Sequence, residues 1–455
     1  MLKISLTFIS SILNSKFRPI VSFCNRNFIY LYNAQYIHDM DRNLLKSVIY
    51  DQKSLQWNSD YIERKISNSL ISSDEILVIT GVRRCGKSTL LQQIRNQLKE
   101  KDYYLNFDDE RLIQFTVDDF QDLYEVFIEL FGKQNTFYFD EVQNIKGWER
   151  FVRRLHDYGN KVFIAGSNAT ILSRELGTHL TGRFSSYELY PFSFREFLEF
   201  NNIGIEEASI YSTENRAEII KNFHQYVSIG GFPLYIQNQH IQYLKSLYES
   251  ILYRDIMVRN NLTNEREMME LIYYLASNVS KLASFNSLAK IAGISNASTI
   301  KNYLTFFQNS YLVFNVYKFD YSLKKQIQNP KKIYFIDLAL VSRLGFSFSD
   351  NRERMLENLV FLELKRQGKS IYYHRKKSEC DFLIKEINKI TKAIQVTVSL
   401  SEKETYNREL KGLSEAMDSY GLVSGLVLTE NEERSIEHDG KKITVMPIWK
   451  WLLAY

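Results

Sequence analysis

The stretch ILVITGVRRCGKST, residues 76–89, decides the fold of this 455-residue chain. Residues Ile76 to Thr80 are almost wholly apolar and predict a buried strand. The next eight residues match the pattern GxxxxGK[S/T] without exception, and the residues from Ser88 to about Glu100 have helical periodicity. A strand, a glycine-rich turn and a helix in this order are typical of a phosphate-binding loop, the P-loop.

The P-loop residue types fit the binding of ATP with Mg²⁺. Glycines allow the backbone N–H groups to converge on phosphates, and the helix N-terminus adds partial positive charge. Lys87 is expected to reach the β- and γ-phosphates, Ser88 to ligate Mg²⁺, and Thr89 to lie near the α-phosphate. The alternative is a chance glycine turn, which the flanking strand and helix disfavour. The predicted nucleotide-binding residues are Gly81, Val82, Arg83, Arg84, Cys85, Gly86, Lys87, Ser88 and Thr89.

A second apolar strand, TFYFDE at residues 136–141, ends in two carboxylates. Asp140 suits a magnesium contact, direct or through water. Glu141, expected on the opposite face of the strand, can polarise the attacking water as a general base. Acids at the end of a strand are common by chance, so this motif gains its weight from its spacing after the P-loop.

Two further segments carry candidate catalytic residues. The strand KVFIAG ends at Ser167 and Asn168, where a polar side chain can orient the lytic water. The alternative is a turn and helix cap, for which both residues are suited. Arg183, in LTGRF, can act as an arginine finger in cis or from a neighbouring subunit. Its alternative is a surface arginine that pairs with an acid.

Composition limits the class of protein. Hydrophobic residues make up 45% and charged residues 24% of the chain, which fits globular domains, two to four of them by length. The three cysteines are far apart, so a disulfide scaffold or zinc site is not expected and a reducing cytoplasm fits. No apolar run is long enough to span a membrane. The net charge of +5 permits contact with nucleic acid without requiring it.

Residues 1–39 form a doubtful N-terminal extension. No acid occurs before Asp39, and the mixture of lysine, arginine, serine and apolar residues resembles an organellar transit peptide. A translation start at Met40 is the simpler interpretation, so these residues carry no prediction of fold.

The order of predicted elements divides the remainder into four units. From residue 40 to 191, strands alternate with helices, which predicts an α/β domain with a mostly parallel sheet, the P-loop ATPase core. Residues 192–282 are helical and form a predicted lid. Residues 283–330 read helix, turn, helix and a two-stranded wing. Residues 331–455 mix strands and helices in a second α/β domain.

Seven motifs together resemble a known family. They are GVRRCGKST, YFDEVQNIKGWE, FIAGSNATIL, LTGRF, ELYPFSFREFLEF, GGFP and YRDI, in this order and with typical spacing. From about Ile71 to the C-terminus the chain is similar to a widespread prokaryotic AAA-like ATPase family, in the STAND and archaeal-ATPase-like branch of the AAA+ ATPases. The resemblance implies an ATPase core, a helical lid, a winged helix and a restriction-endonuclease-like C-terminal fold. It implies no particular substrate.

The winged-helix unit offers a candidate DNA-binding surface. Its second helix carries Ser298, Thr299, Lys301 and Asn302, residue types that contact phosphates and base edges. Lys301 is the only cation on that helix, and winged helices also serve as protein-contact modules.

The C-terminal unit has the layout of a PD-(D/E)xK nuclease. Glu357, Asp381 and Gln395 occupy the three positions of the acidic set, and Thr397 occupies the lysine position. An amide ligates magnesium poorly and threonine supplies no cation, so we expect the fold without cleavage. Glu379, two residues before Asp381 on the same strand face, could compensate in part. The alternative is a structural domain with incidental acids.

The sequence therefore predicts an ATP-driven switch or remodeller that acts on DNA or on a DNA-associated partner. A signalling or toxin–antitoxin-like NTPase that contacts only proteins is the alternative, and an ATP-dependent nuclease is a third class. A homo-oligomer is compatible with each of these readings.

Overall fold

The computed structural model describes residues 40–55, 61–167, 180, 182–204, 212–345 and 352–454. Two β-sheets organise these residues: a five-stranded parallel sheet and a nine-stranded mixed sheet. Among the described helices, none is long and apolar enough to cross a membrane.

The five-stranded sheet has the order β2-β3-β4-β1-β5, and every neighbouring pair is parallel. The α/β fold class is confirmed, and the first four strands form where the sequence predicts them. The fifth strand was not predicted, because its half-exposed residues FSSYE have no clear apolar pattern. The strands are β1 (Ile76–Thr80), β2 (Tyr103–Asn106), β3 (Thr136–Asp140), β4 (Lys161–Gly166) and β5 (Phe184–Glu188).

Helices cover both faces of this sheet, so the middle strands are buried on both sides. Ile76 and Val78 pack into one apolar cluster, and Leu77 and Ile79 pack into another on the opposite face. This alternation follows from the two-residue period of a strand. The helices are α1 (Arg42–Ser54), α2 (Asn68–Ser72), α3 (Lys87–Gln97), α4 (Phe120–Phe131) and α5 (Trp148–Asp157).

The segment between α1 and β1 is not continuously helical. Residues 61–67 have no regular structure, and α2 begins only after Ser67, which caps it. The side chain of Arg64 in this segment bonds to the backbone of the P-loop. Such a contact needs an irregular backbone here, which an amphipathic pattern does not reveal.

The predicted lid is helical, as the sequence indicates. Ser193 forms a capping box with Glu196, Gly230 ends the long helix with φ of 68°, and Pro233 starts the next. The helix that begins at Ile241 is an α-helix that continues as a π-helix. The elements are α6 (Phe194–Phe200), α7 (Thr213–Ile229), α8 (Pro233–Asn238), α9 (Ile241–Ser250), the π-helix (Ile251–Val258) and α10 (Glu265–Ser277).

The nine-stranded sheet joins the last two predicted units. Its order is β13-β14-β12-β11-β10-β9-β7-β8-β6. The strands are β6 (Leu282–Ala283), β7 (Val313–Lys318), β8 (Lys331–Phe335), β9 (Ser370–Arg375), β10 (Glu379–Glu386), β11 (Lys389–Val396), β12 (Ser424–Thr429), β13 (Arg434–His438) and β14 (Lys441–Pro447). Seven helices accompany them: α11 (Phe285–Ile291), α12 (Ala297–Asn309), α13 (Leu323–Gln328), α14 (Leu338–Leu344), α15 (Arg352–Arg366), α16 (Lys403–Tyr420) and α17 (Ile448–Leu453).

The sheet is continuous across the predicted boundary at residue 330. Strand β7 pairs antiparallel with β8 and parallel with β9, and β8 lies beyond that boundary. The strands that follow the helix pair α11 and α12 therefore belong to the same sheet as the C-terminal strands.

One apolar core connects the P-loop sheet to the remainder of the chain. The cluster that contains Leu77 and Ile79 also contains residues of the lid, of α12, and of α15 and α17. Within it, the rings of Tyr334 and Phe361 stack with centroids 4.4 Å apart. The nucleotide-site strands thus share their packing with the C-terminal sheet.

Candidate nucleotide-binding and hydrolysis site

The loop between β1 and α3 has a backbone that requires glycine. Gly81 and Gly86 have φ of 152° and 104°. A Cβ atom at Gly81 would lie 2.1 Å from the carbonyl oxygen of Leu189, which no side chain tolerates. Val82 and Cys85 turn their side chains into the apolar core, so at these two positions only the backbone faces a bound phosphate.

Lys87 is the first residue of α3 and is 5% exposed. Its Nζ donates to the carbonyl oxygen of Val82 at 3.0 Å, so the ammonium lies close to the loop backbone. Ser88 and Thr89 follow in the first turn and are half-buried. A cation at the start of a helix, next to free N–H groups, is a strong anion-binding arrangement.

Arg64 supports the loop from behind, a role that the sequence did not predict. Its guanidinium donates to the carbonyl oxygens of Cys85 at 3.1 Å and Tyr190 at 2.7 Å. Its Nε lies 2.7 Å from Glu196 Oε1, and the side chain of Arg64 is 6% exposed. A buried cation held by two carbonyl oxygens and one ion pair fixes the loop to the segment that begins the lid.

Arg83, a predicted phosphate-binding residue, is paired with the lid. Its Nε and terminal nitrogen donate to the two oxygens of Asp255 at 2.9 and 2.8 Å, a bidentate geometry. The adjacent Arg254 forms an ion pair with Asp108, just beyond β2. Arg254 and Asp255 both lie on the π-helix, an element that often marks functional sites. The YRDI motif therefore connects the lid to the P-loop.

Asp140 ends β3 and is fully buried. Neither of its carboxylate oxygens has a well-oriented hydrogen-bond partner among the described residues. Burial, and then the charge of Glu141, raise the pKa of Asp140 above its usual range, while the nearby Ser88 hydroxyl and Lys87 ammonium oppose this shift. An uncompensated buried carboxylate is costly, and a bound cation would relieve that cost.

The oxygen donors of this site fit a magnesium ion. Within the described part of the chain, no cluster of three or more His, Cys, Asp or Glu residues could hold a metal ion. Magnesium in nucleotide sites is held by one or two protein oxygens together with phosphates and water. Asp140 with the hydroxyl of Ser88 matches this pattern.

Glu141 lies beyond the end of β3 in a left-handed conformation, with φ of 53°. The orientation of Glu141 therefore does not come from the alternation of faces along the strand, which the sequence analysis expected. Its backbone N–H donates to Ala165 at 2.7 Å, and its Oε2 accepts from Ser167 Oγ at 3.3 Å and from Gln143. Such a backbone is rare for glutamate and is found mostly where function requires it.

Ser167 is thus brought to the predicted base, whereas Asn168 lies outside the described residues. Ser167 is 1% exposed and follows β4 directly. Because β3 and β4 are parallel neighbours, their carboxyl ends meet at one edge of the sheet. The hydroxyl of Ser167 holds the carboxylate of Glu141 in place.

Arg183 lies at the other edge of the sheet, away from the P-loop of its own chain. Its carbonyl oxygen accepts from the N–H of Ile76, the first residue of β1, whereas the P-loop follows the last. Its Nε donates to Asp157 Oδ1 at 2.9 Å. This geometry does not place Arg183 as an arginine finger in cis, because β1, five residues or about 17 Å long, separates it from the P-loop.

A tyrosine from the helix pair reaches the base of the P-loop. Tyr311, two residues after α12, donates from its hydroxyl to Thr80 Oγ1 at 2.7 Å, and both residues are buried. Thr80 is the last residue of β1. Glu188, its partner on β5, lies 3.5 Å from the same hydroxyl. The predicted DNA-binding unit is thereby in direct contact with the nucleotide site.

The predicted nuclease-like residues come together around a lysine that the sequence analysis missed. Lys332 on β8 contacts Glu357, Glu379 and Asp381. The backbone N–H of Asp381 donates to Gln395 Oε1 at 3.2 Å. Thr397 is buried, and its hydroxyl donates to the Ser399 carbonyl oxygen. Two adjacent lysines at the start of the apolar strand KKIYF were the available signal, since buried strands rarely carry charge.

Comparison with family models divides the chain into three matched parts. Residues 73–198 match a model described as an AAA domain. Residues 220–351 and 352–451 match two models described as domains of unknown function.

Full-length relatives exist in other organisms. An uncharacterized protein of Methanocaldococcus jannaschii is 37% identical over 90% of this chain and 96% of its own length. An uncharacterized protein of Haemophilus influenzae is 29% identical over 88% of this chain and 99% of its own. Among solved structures, the Walker-type ATPase Paby2304 of Pyrococcus abyssi aligns with a TM-score of 0.43 and 16% identity, covering 65% of this chain and 99% of that one.

Proposed function

We propose that this chain, which belongs to the AAA-like P-loop ATPases, hydrolyses ATP. The ATPase cycle serves as a switch that acts on DNA or on a DNA-associated partner. The observation that carries the hydrolysis proposal is the meeting of three features at one edge of the parallel sheet. They are the glycine-dependent P-loop, the buried Asp140 and the carboxylate of Glu141 held by Ser167.

The P-loop binds the triphosphate through its backbone N–H groups and the Lys87 ammonium. Mg²⁺, when bound, neutralises phosphate charge and orients the β- and γ-phosphates. Ser88 and Asp140 are the residues that would hold it. Arg64 and Asp255 keep the loop in its binding shape by holding Cys85 and Arg83 from two sides.

Glu141 accepts a proton from the attacking water at a carboxylate oxygen. Ser167 and Gln143 donate to Oε2, which leaves Oε1 available for that water. Hydrolysis then depends on the residue pair at the ends of β3 and β4.

The switch part of the proposal rests on Tyr311. On α12, Ser298, Lys301 and Asn302 are exposed, while Ile300 faces the core, so the helix that precedes Tyr311 presents a polar surface. The hydroxyl of Tyr311 connects the end of this helix to Thr80. A change in the P-loop backbone therefore reaches the helix pair through one hydrogen bond.

Lys87→Ala and Glu141→Gln are expected to separate binding from turnover. Lys87→Ala removes the loop's ammonium and should abolish binding of a fluorescent ATP analogue. Glu141→Gln should retain that binding but slow phosphate release by about 10²-fold or more. Lys99→Ala, an exposed lysine just beyond α3, is the control and should behave as wild type. Normal turnover by Glu141→Gln would assign the base to another group.

Arg183 is proposed to act in trans, on the nucleotide of a neighbouring copy. Arg183→Ala should lose turnover, and mixing it with Lys87→Ala should restore part of it because each copy supplies what the other lacks. Arg153→Ala removes a cation that pairs with the same Asp157 and is the matched control. Absence of rescue at every mixing ratio would leave Arg183 a structural residue.

Tyr311→Phe tests the switch by removing only the hydroxyl. For wild type we expect the affinity for a fluorescent DNA duplex to differ at least about 5-fold between ATP and ADP, the usual size of such coupling. Tyr311→Phe should reduce that difference, and Tyr321→Phe, exposed on the surface, should not. An undiminished difference contradicts the role of Tyr311. Absence of DNA binding in both nucleotide states would favour a partner that is a protein.

A further inference from the structure

A cavity of about 830 Å³ lies over the acidic residues of the C-terminal sheet, away from the nucleotide site. Its walls come from α15, α16, the turn between β9 and β10, and residues 280–282. Three features of this cavity determine what it can bind: a buried ammonium in its floor, carboxylates that are already engaged, and a cationic rim.

The ammonium belongs to Lys332, whose side chain is 2% exposed. Its Nζ lies 2.9 Å from Glu357 Oε1, 2.8 Å from Glu379 Oε1 and 2.8 Å from Asp381 Oδ1. The ammonium donates hydrogen bonds to Glu357 and Asp381 and forms an ion pair with Glu379. The group lies between three carboxylates and offsets part of their charge.

The remaining polar groups of the floor satisfy one another. The second oxygen of Asp381 accepts from the backbone N–H of Val396 at 3.0 Å. Gln395 donates from its amide to Glu409, a residue of α16 that the sequence analysis did not consider. Burial and the charge of Asp381 raise the pKa of Glu409 to about 7. Both oxygens of Asp381 are therefore engaged without a metal.

The rim of the cavity is cationic. Seven of the lining side chains are lysine or arginine and five are acidic, so positive charge is in excess even with every acid ionised. The exposed cations come from separate elements: Lys377 from the β9–β10 turn, Lys411 from α16 and Lys281 from the segment before β6. Cations spread around an open cavity suit an extended polyanion better than a single phosphate.

We propose that this cavity binds the phosphodiester backbone of nucleic acid without a divalent cation, with the Lys332 ammonium in the place of the metal. The exposed lysines of the rim neutralise phosphates. The Lys332 ammonium holds Glu357, Glu379 and Asp381 together. It occupies the place of the metal ion that would activate water. Binding without cleavage follows. The site is independent of the ATP cycle, and residue 282 leads within three residues into α11, so one nucleic acid can contact both regions.

The test measures the fluorescence anisotropy of labelled 20-base-pair duplexes, one of DNA and one of RNA, with the full-length chain in EDTA. Wild type should bind at least one of them. Lys377→Glu with Lys411→Glu should weaken that binding at least about 10-fold and make the slope of log K against log[salt] shallower by about 2, since about two phosphate contacts are lost. The matched control is Lys324→Glu with Lys325→Glu, two exposed lysines of α13.

Three results of the binding measurements overturn the proposal: no binding of either duplex, equal weakening by the control pair, or binding that requires Mg²⁺. Cleavage of either duplex also overturns it. ATP turnover of the rim variant should equal wild type, because neither lysine lies near the P-loop, so failure here is distinct from failure of the ATPase.

Lys332→Met tests the ammonium separately. Without it, the three carboxylates should bind Mn²⁺, seen as loss of the free-ion electron paramagnetic resonance signal, whereas the same cluster in wild type should not. Wild-type Mn²⁺ binding that disappears in Asp381→Asn would contradict this. If Lys332→Met does not fold, the rim variants in EDTA still decide the proposal.

Discussion

The buried carboxylate of Asp140 is the constraint on which the nucleotide site depends. Its oxygens are removed from water and receive no well-oriented hydrogen bond from the described residues, and burial raises its pKa. A protein keeps such a group only where a ligand compensates it, because the free-energy cost is otherwise uncompensated. The strained backbone of Glu141 adds to this cost at the next residue. Asp140 and Glu141 therefore lower the stability of the folded chain at the edge of the sheet that carries the P-loop.

The P-loop keeps its shape because distant parts of the chain hold it. Arg64 binds it from the segment before β1, Asp255 from the π-helix of the lid, and Tyr311 from the end of α12. A single apolar core runs behind these contacts into the C-terminal sheet. A ligand that changes the loop changes the balance of all three contacts, which is the physical requirement for a switch.

Local patterns predicted the strand, the glycine loop and the helix of the candidate nucleotide site, since these elements are adjacent in sequence. β1, β3 and β4 and the end of β3 at Asp140 follow from apolar runs and their limits. Arg64, Asp255 and Lys332 were not predictable in this way, because their partners are 21 to 172 residues away. β5 escaped notice because its half-exposed, serine-containing sequence lacks an apolar pattern. Long-range pairing leaves no periodic trace in a sequence.

The most direct test of this account is the thermal unfolding of wild type and Asp140→Asn with ATP, in Mg²⁺ or in EDTA. A ligand at 100 times its dissociation constant stabilises a protein by about 2.7 kcal/mol, so the effect is measurable. Wild type should unfold at a higher temperature with ATP and Mg²⁺ than with ATP and EDTA. Asp140→Asn should lose this difference, yet be no less stable than wild type without nucleotide, because a buried charge is removed. A full magnesium-dependent increase in Asp140→Asn would contradict the account.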